Sequence, residues 1–283
     1  MSRIIDCPLF CNFTTQDCTF EMKLATWNIN SVRLRLDLVL DFLTASDADI
    51  LCLQETKAQD HVFPAAAFAD AGWPYQAIRG EKSYNGVAIL SRQPLAGSGH
   101  LDWAGREDCR HIWAQTDSGV KIHNFYVPAG GDVPDPDENP KFAHKLQFVE
   151  EMTRYFAANP PQAEILVGDL NIAPLAMDVW SSKQLLKIVS HTPVETDGLK
   201  RLMAEGGWHD AVRGHFGAAA KLYSWWSYRA RDWAASDRGR RLDHMWVSHD
   251  LAGQVKKVDI HRPYRGAEKP SDHVPISLVL TGL

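Results

Sequence analysis

The stretch EILVGDLNIAP, residues 164–174, decides the fold prediction. Its apolar start, residues 164–168, is typical of a buried β-strand, and Pro174 ends the extended run. An acid and an amide, Asp169 and Asn171, stand two residues apart where a plain turn would suffice. If the backbone stays extended through Asn171, the two-residue period of a strand turns both side chains to one face. The stretch therefore predicts a strand that ends in functional side chains.

Polar residues also stand at the ends of other apolar runs. Three follow their runs and three precede them, and the six are Asn28, Glu55, Tyr126, Asp243, Asp272 and His273. If the two strands that follow Asp243 and His273 run antiparallel to the others, all of these side chains meet at one edge of the fold. The pattern predicts a functional site at that edge.

The rest of the chain alternates between short apolar runs and amphipathic stretches. Strand-like runs occupy residues 23–29, 49–54, 86–91, 120–127, 164–168, 242–248 and 273–280. Helical periodicity appears in residues 30–43, 141–161 and 196–207. No repeat or linker divides the chain, so we predict a single α/β domain over residues 22–283, preceded by a disordered extension over residues 1–21.

Composition limits the classes of function. The chain has 283 residues, 45% of them hydrophobic and 23% charged, which is ordinary for a globular protein. Its net charge of -5 argues against diffuse electrostatic wrapping of nucleic acid, so a polyanionic partner must meet a local basic patch or a bound cation. No apolar run approaches the roughly 18 to 20 residues of a membrane span, and the five cysteines lack zinc-site spacing. We therefore expect a soluble, cytoplasmic protein without a membrane partner.

The clustered acids predict a bound cation. At an effective dielectric constant of about 20, two carboxylates some 4 Å apart repel each other by about 4 kcal/mol. A gathering of Glu55, Asp169, Asp243 and Asp272 needs a counter-charge to remove this penalty. Carboxylate and amide oxygens suit Mg²⁺, with Mn²⁺ as a substitute.

Asp243 and His273 add a second element to the predicted site. A carboxylate that accepts from one imidazole nitrogen fixes the ring and leaves the other nitrogen free to face a phosphoryl oxygen. Each feature alone has a structural explanation, since Asp-x-Asn at a strand end is commonly an Asx turn and Ser-Asp-His is commonly a cap. The combination favours metal-assisted hydrolysis of a phosphodiester.

Eight sequence blocks together resemble the exonuclease III family of apurinic/apyrimidinic (AP) endonucleases, within the endonuclease/exonuclease/phosphatase superfamily. The resemblance extends from Met22 to Leu283. The blocks are WNINSVR (27–33), LQETK (53–57), YNGVAILSR (84–92), YVPAG (126–130), GDLNIAP (168–174), SWWSYR (224–229), RRLDHMWVS (240–248) and EKPSDHVP (268–275).

The resemblance implies a fold and a set of site residues. The fold is a four-layered α/β sandwich, in which two packed mixed β-sheets are flanked by helices. The implied catalytic residues are Tyr126, Asp169, Asn171, Asp243 and His273. The implied metal ligands are Glu55 mainly, with Asn28 and Asp272 close by, and Asp169, Asn171 and His273 as further candidates. Asp169 would activate the attacking water, and Asp243 would orient His273 toward the phosphate.

DNA contacts are predicted around the tryptophan-rich segment LYSWWSYRARDW, residues 222–233. Aromatic faces can stack on a base or line a pocket for an extrahelical sugar, and arginines can hold phosphates. The predicted contact residues are Asn30, Arg33, Tyr84, Trp225, Trp226, Arg229 and Arg241. A place in the core is the alternative for the adjacent pair Trp225 and Trp226, since in an extended segment one of them would face inward. Ala129, Arg240 and His244 depart from the family pattern.

The predicted activity is Mg²⁺-dependent hydrolysis of duplex DNA 5′ to abasic sites, with 3′–5′ exonuclease and 3′-end-cleaning activity. The predicted partner is double-stranded DNA with abasic sites or 3′ ends, which a monomer would bind in the cytoplasm at the nucleoid. One alternative keeps the fold and changes the substrate to an inositol phosphate, sphingomyelin or RNA. Another is a binding protein that has kept the scaffold without the chemistry.

Overall fold

The computed structural model describes residues 21–283, so the predicted N-terminal extension lies outside the described residues except for Glu21, which opens the first strand. The strands are β1 Glu21–Asn28, β2 Ile50–Gln54, β3 Tyr75–Arg79, β4 Val87–Ser91, β5 Leu95–Gly99, β6 His111–Thr116, β7 Lys121–Tyr126, β8 Glu164–Asp169, β9 Trp208–Asp210, β10 Asp243–Ser248, β11 Val255–Ile260 and β12 Ile276–Thr281. The α-helices are α1 Leu36–Ser46, α2 Ala65–Asp70, α3 Pro140–Ala158, α4 Ser182–Leu185, α5 Pro193–Glu205, α6 Ala211–Phe216 and α7 Trp233–Ser236.

The strands form two six-stranded sheets. The first sheet has the order β11-β12-β1-β2-β4-β3, and the second has the order β5-β6-β7-β8-β10-β9. In each sheet one neighbouring pair is parallel, β1 with β2 and β7 with β8, and the other pairs are antiparallel. Both sheets are therefore mixed, as predicted.

Three apolar layers hold the sheets and helices together. Between the sheets, Leu24 and Ile89 of the first pack with Ile122 and Val167 of the second. The outer face of the first sheet packs against α1 and α2, and the outer face of the second packs against α3 and α5. This order of helix, sheet, sheet and helix confirms the predicted four-layered α/β sandwich.

The strand directions bring the polar strand ends together. β10 runs antiparallel to β8, and β12 runs antiparallel to β1, so the chain enters β10 and β12 at the edge where β1, β2, β7 and β8 end. Within the second sheet, Asp169 lies opposite Tyr126 on one side and opposite Asp243 on the other. Among residues 21–283, no helix has the length and apolar composition needed to cross a membrane.

Candidate active site

Gly168 lets β8 deliver Asp169 to the site. It has φ +133°, and a Cβ atom there would lie 2.0 Å from the carbonyl oxygen of Phe125 on β7. Any side chain would therefore push the two parallel strands apart. Glycine at this position allows Asp169 and Tyr126 to stand side by side at the ends of their strands.

Asn171 reaches Asp169 through a turn. The strand ends at Asp169, and Asn171 has φ +54°, so the prediction of an extended backbone through Asn171 is wrong. The Asn171 backbone N–H donates to Asp169 Oδ1 (2.9 Å), which is the Asx-turn bond. The Asn171 side chain also donates to Asp169 Oδ2 (3.1 Å) and to the Val127 carbonyl (2.9 Å). The turn therefore brings acid and amide together, as the strand period was expected to do.

His273 lies between two buried carboxylates. Its Nδ1 donates to Asp243 Oδ2 (2.8 Å), and its Nε2 is 3.7 Å from Asp169 Oδ2. Burial alone would lower the pKa of His273, but the carboxylates of Asp243 and Asp169 outweigh it and raise that pKa to about 10. Burial and the Asp243 charge raise the pKa of Asp169 to about 7, although His273 and Asn28 act in the opposite direction. Asp169 is thus a carboxyl group whose pKa lies near neutrality, beside a charged imidazolium.

Glu55 is held by residues of both sheets. Asn28 donates to Glu55 Oε1 (3.1 Å) and to Asp169 Oδ2 (2.9 Å), and the Tyr126 hydroxyl donates to Glu55 Oε1 (2.7 Å). Burial tends to raise the pKa of Glu55, but Lys57 and these hydrogen bonds keep it below its usual value. Burial and the nearby Glu55 and Asp169 carboxylates raise the pKa of Tyr126 well above its usual value, so its hydroxyl keeps its proton.

Asp272 completes the acidic edge. It accepts hydrogen bonds from Asn30 Nδ2 (3.1 Å) and from the indole N–H of Trp225 (3.0 Å). Burial opposes ionisation, but His273 and these two donors hold the pKa of Asp272 below its usual value. Lys57 Nζ lies 2.9 Å from Glu55 Oε2 and donates to Asn30 Oδ1 (2.6 Å). Asn30 therefore joins the two acids, and its predicted contact with DNA stays a prediction.

The donor set fits a hard divalent cation. Ligand atoms of Asp169, Asp243 and His273 lie within 4.8 Å of one another, and Asp243 Oδ1 is buried without a hydrogen-bond partner. On the other side of Asn28, the Lys57 ammonium already stands against the oxygens of Glu55 and Asn30, which shows that these oxygens attract a cation. Carboxylate-rich oxygen sites of this kind suit Mg²⁺ or Mn²⁺.

A cavity of about 690 Å³ opens above these groups. Besides the catalytic candidates, its lining includes Trp225, Arg229, Arg240, Trp180 and Arg238. The guanidinium of Arg240 lies 5.3 Å from the ring centre of Trp225, and that of Arg238 lies 4.7 Å from the ring centre of Trp180. The sequence prediction did not include Trp180 and Arg238, which stand in regions without strand or helix periodicity.

Two predicted DNA contacts are corrected by burial. Trp226 is 1% exposed and packs with Tyr223 and Val274, whereas its neighbour Trp225 lines the cavity. Arg241 is also 1% exposed, because its guanidinium pairs with Asp178 and Asp210. Both side chains have structural roles and do not reach a DNA surface.

The remaining predicted contacts and departures lie elsewhere. Arg33, Tyr84 and Arg229 are exposed, as a DNA contact requires. Among the departures, Ala129 and Arg240 line the cavity. His244 is buried, and its Nε2 donates to the Ile172 carbonyl (2.9 Å), so it belongs to the interior of the second sheet.

Comparisons with known proteins agree with this geometry. A profile of the Endonuclease/Exonuclease/phosphatase family matches residues 25–273. The chain belongs to this family. Exodeoxyribonuclease III of Haemophilus influenzae is 30% identical over 268 residues, which cover 90% of this chain and 98% of that protein. This relative confirms the resemblance to exonuclease III, and the chain is a phosphodiester hydrolase of that type.

Two solved structures share the architecture of the chain. An AP endonuclease from Archaeoglobus fulgidus superposes with a TM-score of 0.84 and 32% identity, over 92% of this chain and 99% of that one. A 3′ phosphatase from Neisseria, solved with a product DNA hairpin, gives a TM-score of 0.83 and 32% identity, over 91% and 98% of the two chains.

Proposed function

We propose that this chain is a Mg²⁺-dependent DNA-repair nuclease that cuts duplex DNA 5′ to abasic sites. The observation that carries the proposal is the position of the Asp169 carboxylate 3.7 Å from the imidazole of His273, which Asp243 orients, at the floor of the cavity. The products are a 3′-hydroxyl and a 5′-deoxyribose phosphate. We infer that the same site removes 3′-terminal nucleotides and blocking groups.

Asp169 acts as the general base in this proposal. A water molecule beside Asp169 attacks phosphorus and gives its proton to the Asp169 carboxylate, while the bond from phosphorus to the 3′-oxygen breaks. The released 3′-oxygen takes a proton from a second water molecule, and Asp169 returns its proton to solvent. Asn28 and Asn171 hold the carboxylate in place for this step. The raised pKa of Asp169 makes it a stronger base than an exposed aspartate, so proton transfer from the water is easier.

His273 and Tyr126 stabilise the negative charge that develops on the phosphoryl oxygens. The imidazolium is oriented by Asp243, and its Nε2–H faces the same space as Asp169. With both ring nitrogens protonated, His273 acts in this proposal as a charged donor, and its predicted role as a metal ligand stays a prediction. Tyr126 remains protonated and supplies a hydroxyl donor.

A divalent cation held by Glu55, Asp272 and Asn28 would supply positive charge to the scissile phosphate. Lys57 provides part of that charge in the described structure, through its ion pair with Glu55. Asp169 and Asn171 remain candidates for a second ion.

We infer that double-stranded DNA binds across the mouth of the cavity. Trp225 offers an aromatic face there, and Arg33, Tyr84 and Arg229 are exposed for contacts with the strands. The DNA hairpin in the structure of the Neisseria relative supports this class of substrate. We propose that the protein acts as a monomer in the cytoplasm at the nucleoid.

The test is a duplex oligonucleotide with one abasic site, incubated with EDTA, Mg²⁺ or Mn²⁺ and with a recessed 3′ end as competitor. We expect incision 5′ to the abasic site with either cation and none with EDTA. Parallel reactions contain RNA, an inositol phosphate and sphingomyelin. Intact DNA together with hydrolysis of one of these substrates would overturn the proposal and favour a same-fold phosphatase or nuclease.

A further inference from the structure

A buried ion pair lies next to the turn that joins Asp169 to Asn171. Lys145 on α3 is 0% exposed and Glu195 on α5 is 1% exposed, and the Lys145 ammonium donates to a Glu195 carboxylate oxygen. A buried pair of this kind adds little stability compared with apolar side chains of similar size, because both charges lose their hydration. The hydrogen bonds of the two side chains indicate a role of the pair other than stabilisation.

Lys145 uses its other hydrogen bonds on two loops that line the cavity. Its Nζ donates to the backbone carbonyl of Asn171 (2.8 Å) and to that of Ala129 (3.3 Å). Asn171 has φ +54°, which is in the left-handed region that few residues other than glycine and asparagine adopt. The bond from Lys145 holds the carbonyl of the residue that must keep this conformation.

The Asn171 backbone sets the position of the Asn171 side chain. That side chain donates to Asp169 Oδ2, and the Asn171 backbone N–H donates to Asp169 Oδ1. A displacement of the Asn171 backbone as a whole would therefore disturb the bonds that orient the Asp169 carboxylate. Lys145 does not need to touch the substrate to affect the step that Asp169 performs.

Glu195 anchors the opposite wall of the cavity. Its carboxylate accepts from the backbone N–H of Ser190 (2.9 Å) and from the backbone N–H and hydroxyl of Thr192 (3.2 and 2.6 Å). The Ser190 hydroxyl in turn accepts from Arg240 (2.7 Å), whose guanidinium faces Trp225. The ion pair thus joins the turn at Asn171 to the wall that carries Arg240.

We propose that Lys145 and Glu195 are positioning residues, which hold Asn171 and the cavity wall in the geometry needed for hydrolysis. The inference rests on the proposed function of the same site. The exposed pair Arg201–Glu150 joins the same two helices without contacting either cavity loop, so it provides a matched comparison.

The test uses Lys145→Met combined with Glu195→Gln. Lys145→Met alone leaves a buried unpaired carboxylate and is expected to fold poorly. The double variant removes both charges with little change of volume, and the introduced amide oxygen can still accept from Ser190 and Thr192. The control variant combines Arg201→Met with Glu150→Gln.

We expect kcat of the double variant on the abasic duplex to fall about 10- to 100-fold, because small displacements of reacting groups have effects of this size. KM, and duplex affinity measured in EDTA, should stay within about threefold of wild type, since no group that contacts DNA is removed. The control should keep kcat within about twofold of wild type.

Three outcomes separate the possibilities. Wild-type kcat in the folded double variant would overturn the positioning role and leave the proposed function intact. An equal loss of kcat in the control would also overturn it, because docking of α5 on α3 would then explain the effect. Absence of cleavage by the wild-type protein would instead refute the proposed function.

Discussion

Strand β8 carries a carboxylate at each end, and each carboxylate faces a buried histidine in a different charge state. At its start, His123 Nε2 lies 3.1 Å from Glu164 Oε2, yet burial lowers the pKa of His123 although Glu164 acts to raise it. At its end, the pKa of His273 is raised to about 10. Two buried histidines that face carboxylates of the same strand therefore differ in charge.

The number of carboxylates around each ring explains the difference. His273 meets the fields of Asp243, Asp169 and Asp272, which together outweigh the cost of burying its charge. Glu164 is shared with Lys121, and the second neighbour of His123 is His111, whose Nε2 donates to His123 Nδ1 (3.1 Å). Proximity to one acid is thus insufficient, and a surplus of acids turns a buried histidine into a charged donor.

The largest expected effect is that of removing the charge of Asp169. Asp169→Asn keeps the size of the side chain but removes the base, so kcat on the abasic duplex should fall about 10³-fold or more. Glu164→Gln, at the other end of the strand, should leave kcat within about twofold, because it is distant from the site. Steady-state assays of both variants measure kcat. An equal loss of kcat in the two variants would contradict the assignment of the catalytic base to the Asp169 end of β8.

A smaller effect is expected from the histidines. His273→Gln removes the charged donor, and kcat should fall about 10²-fold, whereas KM should change much less. His123→Gln should lower the melting temperature and leave kcat near the wild-type value. If His123→Gln reduced kcat as strongly as His273→Gln, the two pairs would not differ in function.

The smallest effect is a pH dependence of the free energy of unfolding. It comes from His111, which lies beside His123 near the start of β8. Burial and the neighbouring His123 lower the pKa of His111 well below 6.5, so the unfolded chain binds a proton there that the folded chain does not. Stability should therefore fall as pH decreases below 6.5, by about 1.4 kcal/mol per pH unit for this one site.

Urea unfolding of wild type and His111→Asn between pH 7.5 and 5 measures this slope. The asparagine oxygen can still accept from the Leu101 backbone N–H, as His111 Nδ1 does (3.0 Å), but it does not titrate. The variant should be less stable at pH 7.5 and should lose less stability on acidification. An unchanged slope would contradict the neutral state of His111.

The resemblance to exonuclease III implied the four layers, and the polar residues at strand ends predicted the meeting of Glu55, Asp169 and His273. The second prediction uses the position of polar residues at strand ends, which is visible in the chain order, together with an assumed antiparallel direction of the last two strands. Five strands without a strong pattern, β3, β5, β6, β9 and β11, were not predicted. β5, LAGSG, and β11, VKKVDI, have few large apolar residues.

The position and burial of individual side chains depend on partners that are remote in sequence. The helix predicted from residue 30 begins only at Leu36, because Asn30 bonds to Asp272 and Arg35 donates to the Lys269 carbonyl. Arg241 stands beside the site in sequence, but Asp178 and Asp210 hold it inside. Periodicity does not reveal such long-range pairs.

The most direct test of this account is the protonation state of His273 in the metal-free protein at pH 8. Nitrogen-15 spectra of the imidazole rings, assigned with His273→Gln and His123→Gln, distinguish charged from neutral rings. We predict two protonated nitrogens for His273 and one for His123. A neutral His273 at pH 8 would contradict the account, because the end of β8 would then lack the charged donor on which the proposed hydrolysis depends.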